Sequence, residues 1–195
     1  MIESIEAVLA RLELDRAAGR ILSRFIELFE KWNSSINLSA ASSRVELVEH
    51  VVDSIHVVPY LHGRERVLDV GSGGGFPVVI AAVCLPGASF TALEPVHKKH
   101  AFLRTAAREL ALPNLTALAQ RLDDHSPRDY DAATSRATLD LVEWLERGAH
   151  FVVPTGIVIG FEAVPRLDLP ASVERHPYAL GDKQRAIVIA RGSTS

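Results

Sequence analysis

The chain has little sulfur chemistry to offer. Its 195 residues include a single cysteine, Cys84, so an internal disulfide is excluded. One unpaired thiol fits a reducing, cytoplasmic setting, and Cys84 itself reads as a small buried hydrophobe. Long apolar runs are also missing. The longest, Val78 to Leu85, is far too short to cross a bilayer, so no membrane association is expected. Acids and arginines are scattered through residues 1–20, which argues against a secretory leader. No basic surplus exists either: 21 Lys and Arg face 24 Asp and Glu, for a net charge of −3. Any face that meets nucleic acid must therefore be local. Candidates are Arg64/Arg66, then Lys98-Lys99-His100 with Arg104 and Arg108, then Lys183/Arg185, and each alone reads as a solvated surface. His97 and His100 lie three apart with no third ligand in view, so no metal site is expected.

What is present is ordinary for a globular protein: 48% apolar and 23% charged residues. The length suits one domain with an extension. Apolar residues recur at helical spacing through the first 34 positions, including Ile5, Val8, Leu9, Phe25, Leu28, Phe29 and Trp32. Gly19 weakens this stretch without having to break it. Asn33 to Ser43 is polar and turn-like, and Arg44 to Tyr60 predicts a helix that Pro59 ends. From there strands and helices alternate. Strands are predicted at Arg66–Val70, Ser89–Leu93, Leu115–Leu118, Ala132–Ser135, Gly156–Phe161, Ser172–Tyr178 and Gln184–Ala190. Helices are predicted at Pro77–Leu85, His97–Leu110 and Leu139–Phe151. No helix separates the last two strands, so they form an antiparallel hairpin on a mostly parallel sheet. Residues 1–62 then read as a helical extension packed on a core at 63–195.

The most telling stretch is Val67-Leu68-Asp69-Val70-Gly71-Ser72-Gly73-Gly74-Gly75-Phe76-Pro77. It is a buried strand with an acid near its end, a glycine turn, and a helix starting at or near Pro77. Glu94 follows the next strand. A dinucleotide site wants Gly-x-Gly-x-x-Gly, but Phe76 stands where the third glycine belongs. A P-loop needs a Gly-Lys ending, and no lysine occurs from 67 to 97. The turn lacks the parts that hold phosphate, so it fits a phosphate-free cofactor, S-adenosyl-L-methionine. Asp69 can face its ammonium, directly or through water, and Glu94 can accept from both ribose hydroxyls. The plainer reading is a tight strand-to-helix turn. The acids on either side favour the cofactor. Seven strands with a hairpin last are what a Rossmann-like, class I S-adenosylmethionine-dependent methyltransferase requires, with its site where the strand order reverses.

Several segments together resemble a specific family. They are Lys31-Trp32-Asn33 with Ile36-Asn37-Leu38-Ser39, His50-Val51-Val52-Asp53-Ser54-Ile55, and Leu68 to Pro77. Leu93-Glu94-Pro95 to Lys98-Lys99, Phe102-Leu103, Gln120-Arg121-Leu122-Asp123-Asp124 and Ser135-Arg136-Ala137 complete the set. From about 20 to 190 the chain resembles glucose-inhibited division protein B, the bacterial 16S ribosomal RNA guanine-N7 methyltransferases. The resemblance implies methyl transfer to one guanine of 16S ribosomal RNA, free or in the small subunit, with S-adenosyl-L-homocysteine as the other product. It carries Asp69, Gly71, Gly73, Gly75, Phe76 and Glu94 over as cofactor residues, Leu122 and Asp123 as the adenine side, and Arg136 as a cofactor or substrate contact. A monomer is expected. Two positions depart from the family pattern. Gly160-Phe161-Glu162-Ala163 replaces a usual Leu-Lys-Gly, and His97-Lys98-Lys99 replaces Gly-Lys-Arg.

Guanine N7 has a free lone pair, and no proton need leave before it attacks a methyl carbon. No general base is nominated, and the expected work of the enzyme is alignment. Asn37 reads as a turn cap, and His50 as a hydrogen-bonded, half-buried histidine. Two rival readings stay open. One is a cofactor- or RNA-binding protein whose substrate surface has drifted, motivated by Glu162. The other is a methyltransferase acting on a small molecule or a protein.

Overall fold

The computed structural model describes residues 3–38, 43–126 and 128–192. Ser39, part of one family segment, lies outside them. Four helices come first: α1 (Ile5–Arg11), α2 (Ala18–Ile36), α3 (Arg44–Ile55) and α4 (Val58–Leu61). The alternating part follows as β1 (Arg66–Val70), α5 (Val78–Cys84), β2 (Ser89–Leu93), α6 (His97–Glu109) and β3 (Leu115–Leu118). A 3-10 turn at Leu122–Asp124 leads to β4 (Tyr130–Ser135), α7 (Leu141–Gly148), β5 (Val152–Glu162), β6 (Glu174–Leu180) and β7 (Lys183–Arg191).

The seven strands form one sheet in the order β3-β2-β1-β4-β5-β7-β6. β1 to β5 pair in parallel, and β7 runs antiparallel to both β5 and β6. The expected α/β class, mostly parallel with a terminal hairpin, is what the chain adopts. The order reverses between β1 and β4, so their carboxyl ends leave a crevice there.

Both faces of the central strands β1 and β4 are buried, which is why they read as apolar runs rather than half-polar ones, whereas the edge strand β6 is largely exposed. Successive residues point to opposite faces. Val67, Ile157 and Ile159 join a core shared with α1 to α6, whereas Leu68, Val70 and Val158 join a second core with Trp144 and Leu145 of α7. Asp69 lies on the first face, in line with Val67.

Local rules explain the helix boundaries and two revisions. The amino-terminal helical stretch breaks between α1 and α2, where Glu13 takes a left-handed φ of 56°. The break lies upstream of Gly19, which sits inside α2. The helix from Arg44 does not reach Tyr60. It stops at Ile55, and Pro59 lies in the first turn of α4, where its missing N–H is no loss. Ser43 starts α3 by accepting the Glu46 N–H on its hydroxyl at 3.3 Å. Asn37 ends α2 in the left-handed conformation, the capping role its side chain suggests.

One contact joins the helices to the glycine turn. Phe25 and Phe29 of α2 pack on Phe76 with ring centroids 5.4 and 5.3 Å apart, and Phe102 of α6 closes the group. Gly74 lies against Phe29 so closely that a Cβ there would come within 2.5 Å of its ring. Gly74→Ala is therefore expected to cost about 1–3 kcal/mol of unfolding free energy in a urea titration. Phe29→Leu in the same chain should recover part of that loss, and simple addition of the two losses would contradict the contact as the cause.

Candidate active site

The carboxyl ends of β1, β2, β4 and β5 open on one cleft of about 1070 Å³. One wall is the turn after β1. Its first two amides, Gly71 and Ser72, donate to the Leu93 carbonyl at 2.9 and 3.1 Å, which ties the turn to the end of β2. Gly75 N–H donates to Ser72 O at 2.7 Å and closes the loop on itself. From the other side, Ser135 Oγ donates to Val70 O at 2.9 Å.

Glu94 is buried, and each of its oxygens accepts one backbone N–H. Oε2 takes Gly73 and Oε1 takes Val96, both at 2.8 Å. An acid at this point therefore shapes the turn. Its remaining lone pairs could still receive two hydroxyls.

Asp69 is the other buried acid of the turn, and it is only half satisfied. Thr134 Oγ1 donates to Oδ1 at 2.7 Å, while Oδ2 has no hydrogen-bond partner among the described residues. Burial pushes its carboxyl up to about 7, against the Thr134 hydrogen bond, the charge of Arg136 and the nearby Ser72 hydroxyl, which itself donates to the Asp69 backbone carbonyl at 3.2 Å. Buried acceptors are normally paired, so an unpaired one calls for a donor from a ligand or a water. This is the feature that fits the ammonium end of S-adenosylmethionine.

Five of the nine residues expected to hold the cofactor line the cleft: Gly71, Gly73, Phe76, Glu94 and Arg136. Asp69 and Gly75 lie behind that lining. Leu122 and Asp123 are not brought there. Both face a separate hollow of about 330 Å³, where Asp123 is exposed and pairs with Arg147.

The cleft also has walls that the sequence did not single out with any force. α3 contributes Glu49, His50 and Asp53, and the carboxyl-terminal hairpin contributes Tyr178 and Arg185. Asp53 Oδ2 accepts from Arg136 Nη1 at 3.0 Å, and Oδ1 accepts from Tyr178 OH at 2.6 Å. The Arg136 guanidinium lies 5.0 Å from the Phe76 ring centroid. His50 is 5.5 Å from that ring, and burial, followed by the Arg136 charge, holds its pKa below the ordinary value. The available signal was the i, i+3 spacing of His50 and Asp53, which puts both on one helix face.

Glu162, the departure on β5, is buried and fully compensated. Oε1 accepts the Arg166 N–H at 2.7 Å, and Oε2 accepts Arg175 Nε at 3.0 Å. It organises the chain after β5 and does not add an unpaired charge to the cleft.

A family described as rRNA small subunit methyltransferase G matches residues 19–168. The ribosomal RNA small subunit methyltransferase G of Nitrosococcus oceani is 36% identical over 173 residues, covering 86% of this chain and 80% of that one. The protein of the same name from Neisseria gonorrhoeae is 37% identical over 182 residues, covering 83% and 87%. The chain belongs to the rRNA small subunit methyltransferase G family. Solved structures agree on the fold. The ribosomal protein L11 methylase of Lactobacillus delbrueckii subsp. bulgaricus superposes with a TM-score of 0.59 at 16% identity, over 74% of this chain and 79% of that one. A SAM-dependent O-methyltransferase of Thermotoga maritima gives 0.57 at 13%, over 73% and 66%. The family resemblance and the Rossmann-like methyltransferase fold read from the sequence both stand.

In this methyltransferase the half-satisfied Asp69 has a measurable consequence. An ordinary Asp carboxyl loses its proton near 3.8, whereas the folded chain keeps that of Asp69 to about 7. Between those values the folded state binds more protons than the unfolded one, so this group lowers stability as pH rises, with the full penalty above 7. The gap corresponds to roughly 4 kcal/mol at most. Asp69→Asn should therefore stabilise the ligand-free chain by about 1–3 kcal/mol at pH 8 and by less at pH 5, while weakening cofactor binding. Urea midpoints at the two pH values check this. Equal destabilisation at both would show that the carboxylate carries no burial penalty.

Proposed function

We propose that this chain methylates N7 of a guanine in 16S ribosomal RNA, taking the methyl group from S-adenosyl-L-methionine and leaving S-adenosyl-L-homocysteine. The observation that carries the reading is the buried Oδ2 of Asp69, without a partner among the described residues, behind the glycine turn that walls a cleft at the sheet's reversal point, in a chain of this family. When bound, the cofactor supplies an electrophilic methyl group on a positively charged sulfur.

The chain's own residues bind and orient. Asp69 offers Oδ2 to the ammonium, directly or through water. Gly71, Gly73 and Gly75 give the turn its left-handed backbone, with Gly73 open to the cofactor and the other two packed on Thr138 and Val79, Phe76 lines the cleft beside them, and Glu94 accepts from the ribose hydroxyls. Arg136 stands at the end of β4, where cofactor and base meet. Leu122 and Asp123 stay outside this set, because they face a different hollow. No residue acts as a general base, since N7 attacks with a lone pair it already has. Holding the reactants in line supplies the acceleration, up to about 7–11 kcal/mol for well-oriented pairs. An unstacked loop guanine presents N7 more easily than a base inside an A-form helix.

The substrate is the RNA itself or the small ribosomal subunit, met by a monomer in the cytoplasm. No helix among the described residues is long and apolar enough to cross a membrane. Residues 1–62 act as an extension of the core at 63–195 rather than as a separate unit. One continuous apolar cluster, running from Ile5 to Ile189, supports that. The drifted-binder reading loses its motive, because Glu162 is matched by Arg175 and the Arg166 amide.

The test uses purified protein, methyl-labelled S-adenosylmethionine and small subunits or 16S ribosomal RNA lacking the modification. Label is expected in 7-methylguanosine after digestion and is expected to disappear with Asp69→Ala. Intact cofactor binding with no label in that nucleoside would reject the assignment to N7.

A further inference from the structure

Asp53 stands outside the glycine turn and outside β4, yet it connects α3 to both Arg136 and Tyr178. The Asp53 and Arg136 side chains are only 14% and 16% exposed, so the pair is largely withdrawn from water. The protonation states are set by geometry. Arg136 can only donate. Tyr178 is also a donor here, because burial and the adjacent Asp53 charge raise its pKa above the ordinary phenol value. Asp53 accepts from both and forms an ion pair with Arg136.

Tyr178 is itself fixed. Its ring stacks on His56 at 4.0 Å and 14°. His56 Nδ1 lies 2.8 Å from Val52 O, and Nε2 lies 3.2 Å from Arg11 Nη2. A guanidinium offers only donors, so Nε2 is the acceptor and Nδ1 carries the proton. Burial, first among the causes, lowers the His56 pKa and keeps the ring neutral. Asp53 thus rests on a support that runs from α1 through α3 to the carboxyl-terminal hairpin.

The electrostatics of methyl transfer give this arrangement a purpose. The N7 lone pair forms the new bond to carbon. The old bonding pair stays on sulfur, and no proton leaves. One positive charge enters on the sulfur and ends on the methylated base. An uncompensated guanidinium beside that path would oppose the cation at both stages. Arg136 lies within electrostatic reach of Asp69, on the turn, and of His50, on α3, and at His50 the Asp53 charge works against it.

We propose that Asp53 is a positioning residue for this transfer: it fixes Arg136 over Phe76 and cancels its charge, so that the guanidinium can offer hydrogen bonds in a cleft that must hold a cation. The inference rests on the methyl-transfer reading above. It concerns the cleft's charge and can be read without any RNA.

The measurement is calorimetric binding of S-adenosylmethionine, a sulfonium, and S-adenosylhomocysteine, an uncharged thioether, to the full chain. Their affinity ratio reports the charge near sulfur and is insensitive to general loosening of the site. Asp53→Asn leaves Arg136 unopposed and should shift the ratio about tenfold against the sulfonium. Asp53→Glu keeps the charge and should restore most of the ratio. Arg136→Met leaves the carboxylate alone and should move the ratio the opposite way, which keeps the test decisive if Asp53→Asn does not fold. A ratio that stays within about twofold of the parent in folded variants overturns the proposal, as does an equal loss for both ligands. A parent chain that binds the sulfonium but labels no ribosomal RNA rejects the rRNA assignment and leaves this inference standing. A parent that binds neither ligand rejects both.

Discussion

The turn from Gly71 to Phe76 is held from three directions, and the rest of the site is arranged around it. The end of β2 holds it through the Leu93 carbonyl and the Glu94 carboxylate. The end of β4 holds it through Ser135 and Thr138, both of which donate to Val70 O. α2 holds it from beneath, with Phe29 against Gly74 and Phe25 and Phe29 against Phe76. Each restraint answers a different problem. The carbonyl and carboxylate satisfy amides that a glycine loop would otherwise leave unpaired. The aromatic packing removes the freedom that makes glycine costly to order. A loop of this composition becomes a defined wall only because the helices before it exist.

The buried acids around that wall have different fates, and the differences follow from their partners. A buried charge is costly unless it is paired and hydrogen-bonded. Glu94 is met by two amides and Glu162 by Arg175 and an amide, and the half-buried Asp53 beside them is met by Arg136 and Tyr178. Those carboxylates are settled within the chain. Asp69 keeps one oxygen without a partner among the described residues, and its carboxyl is the one displaced to about 7. The unsettled group sits where a ligand with donors is expected, and the settled ones build its surroundings. This division separates structural acids from a candidate binding acid better than position along the chain does.

Much of this was legible before any coordinates. β1, β2 and β3 begin and end where apolar runs and turn residues put them; in β1 burial on both faces leaves a continuous signal, and the edge strand β3 is marked by its flanking turns. The acid, glycines and second acid of the site were visible for the same reason: they are local. The misses are of two kinds. Pro59 was read as a stop when it serves as a start, since proline suits both ends of a helix junction. Asp53 belongs to a segment that the family resemblance picks out, but its partners are not legible, because it lies 83 positions from Arg136 and 125 from Tyr178. Glu162 reads as a departure because Arg175, on β6 and one strand beyond the neighbouring β7, cannot be assigned to it from sequence. Leu122 and Asp123 were placed by resemblance alone, and the 3-10 turn carries them to another hollow.

A net charge of −3 is an unpromising balance for a chain that handles RNA, but the total hides how the charges are used. Around the cleft mouth, Arg166 pairs with Asp140 and Asp168, Lys183 with Glu49, and Arg185 with the Ala163 carbonyl. The acids in these pairs cancel the cations in the sum. They do not remove them from use, because an exposed pair is worth only about 0–1 kcal/mol. Arg166, paired with two exposed carboxylates, keeps a guanidinium fork of the shape that suits phosphate. The Asp53–Arg136 pair is the contrasting case. It is largely withdrawn from water, so its exchange would leave a half-buried carboxylate without its partner. The same pair type therefore does opposite work at two depths: exchangeable at the mouth, where a polyanion must be met, and fixed inside, where a cation must be tolerated.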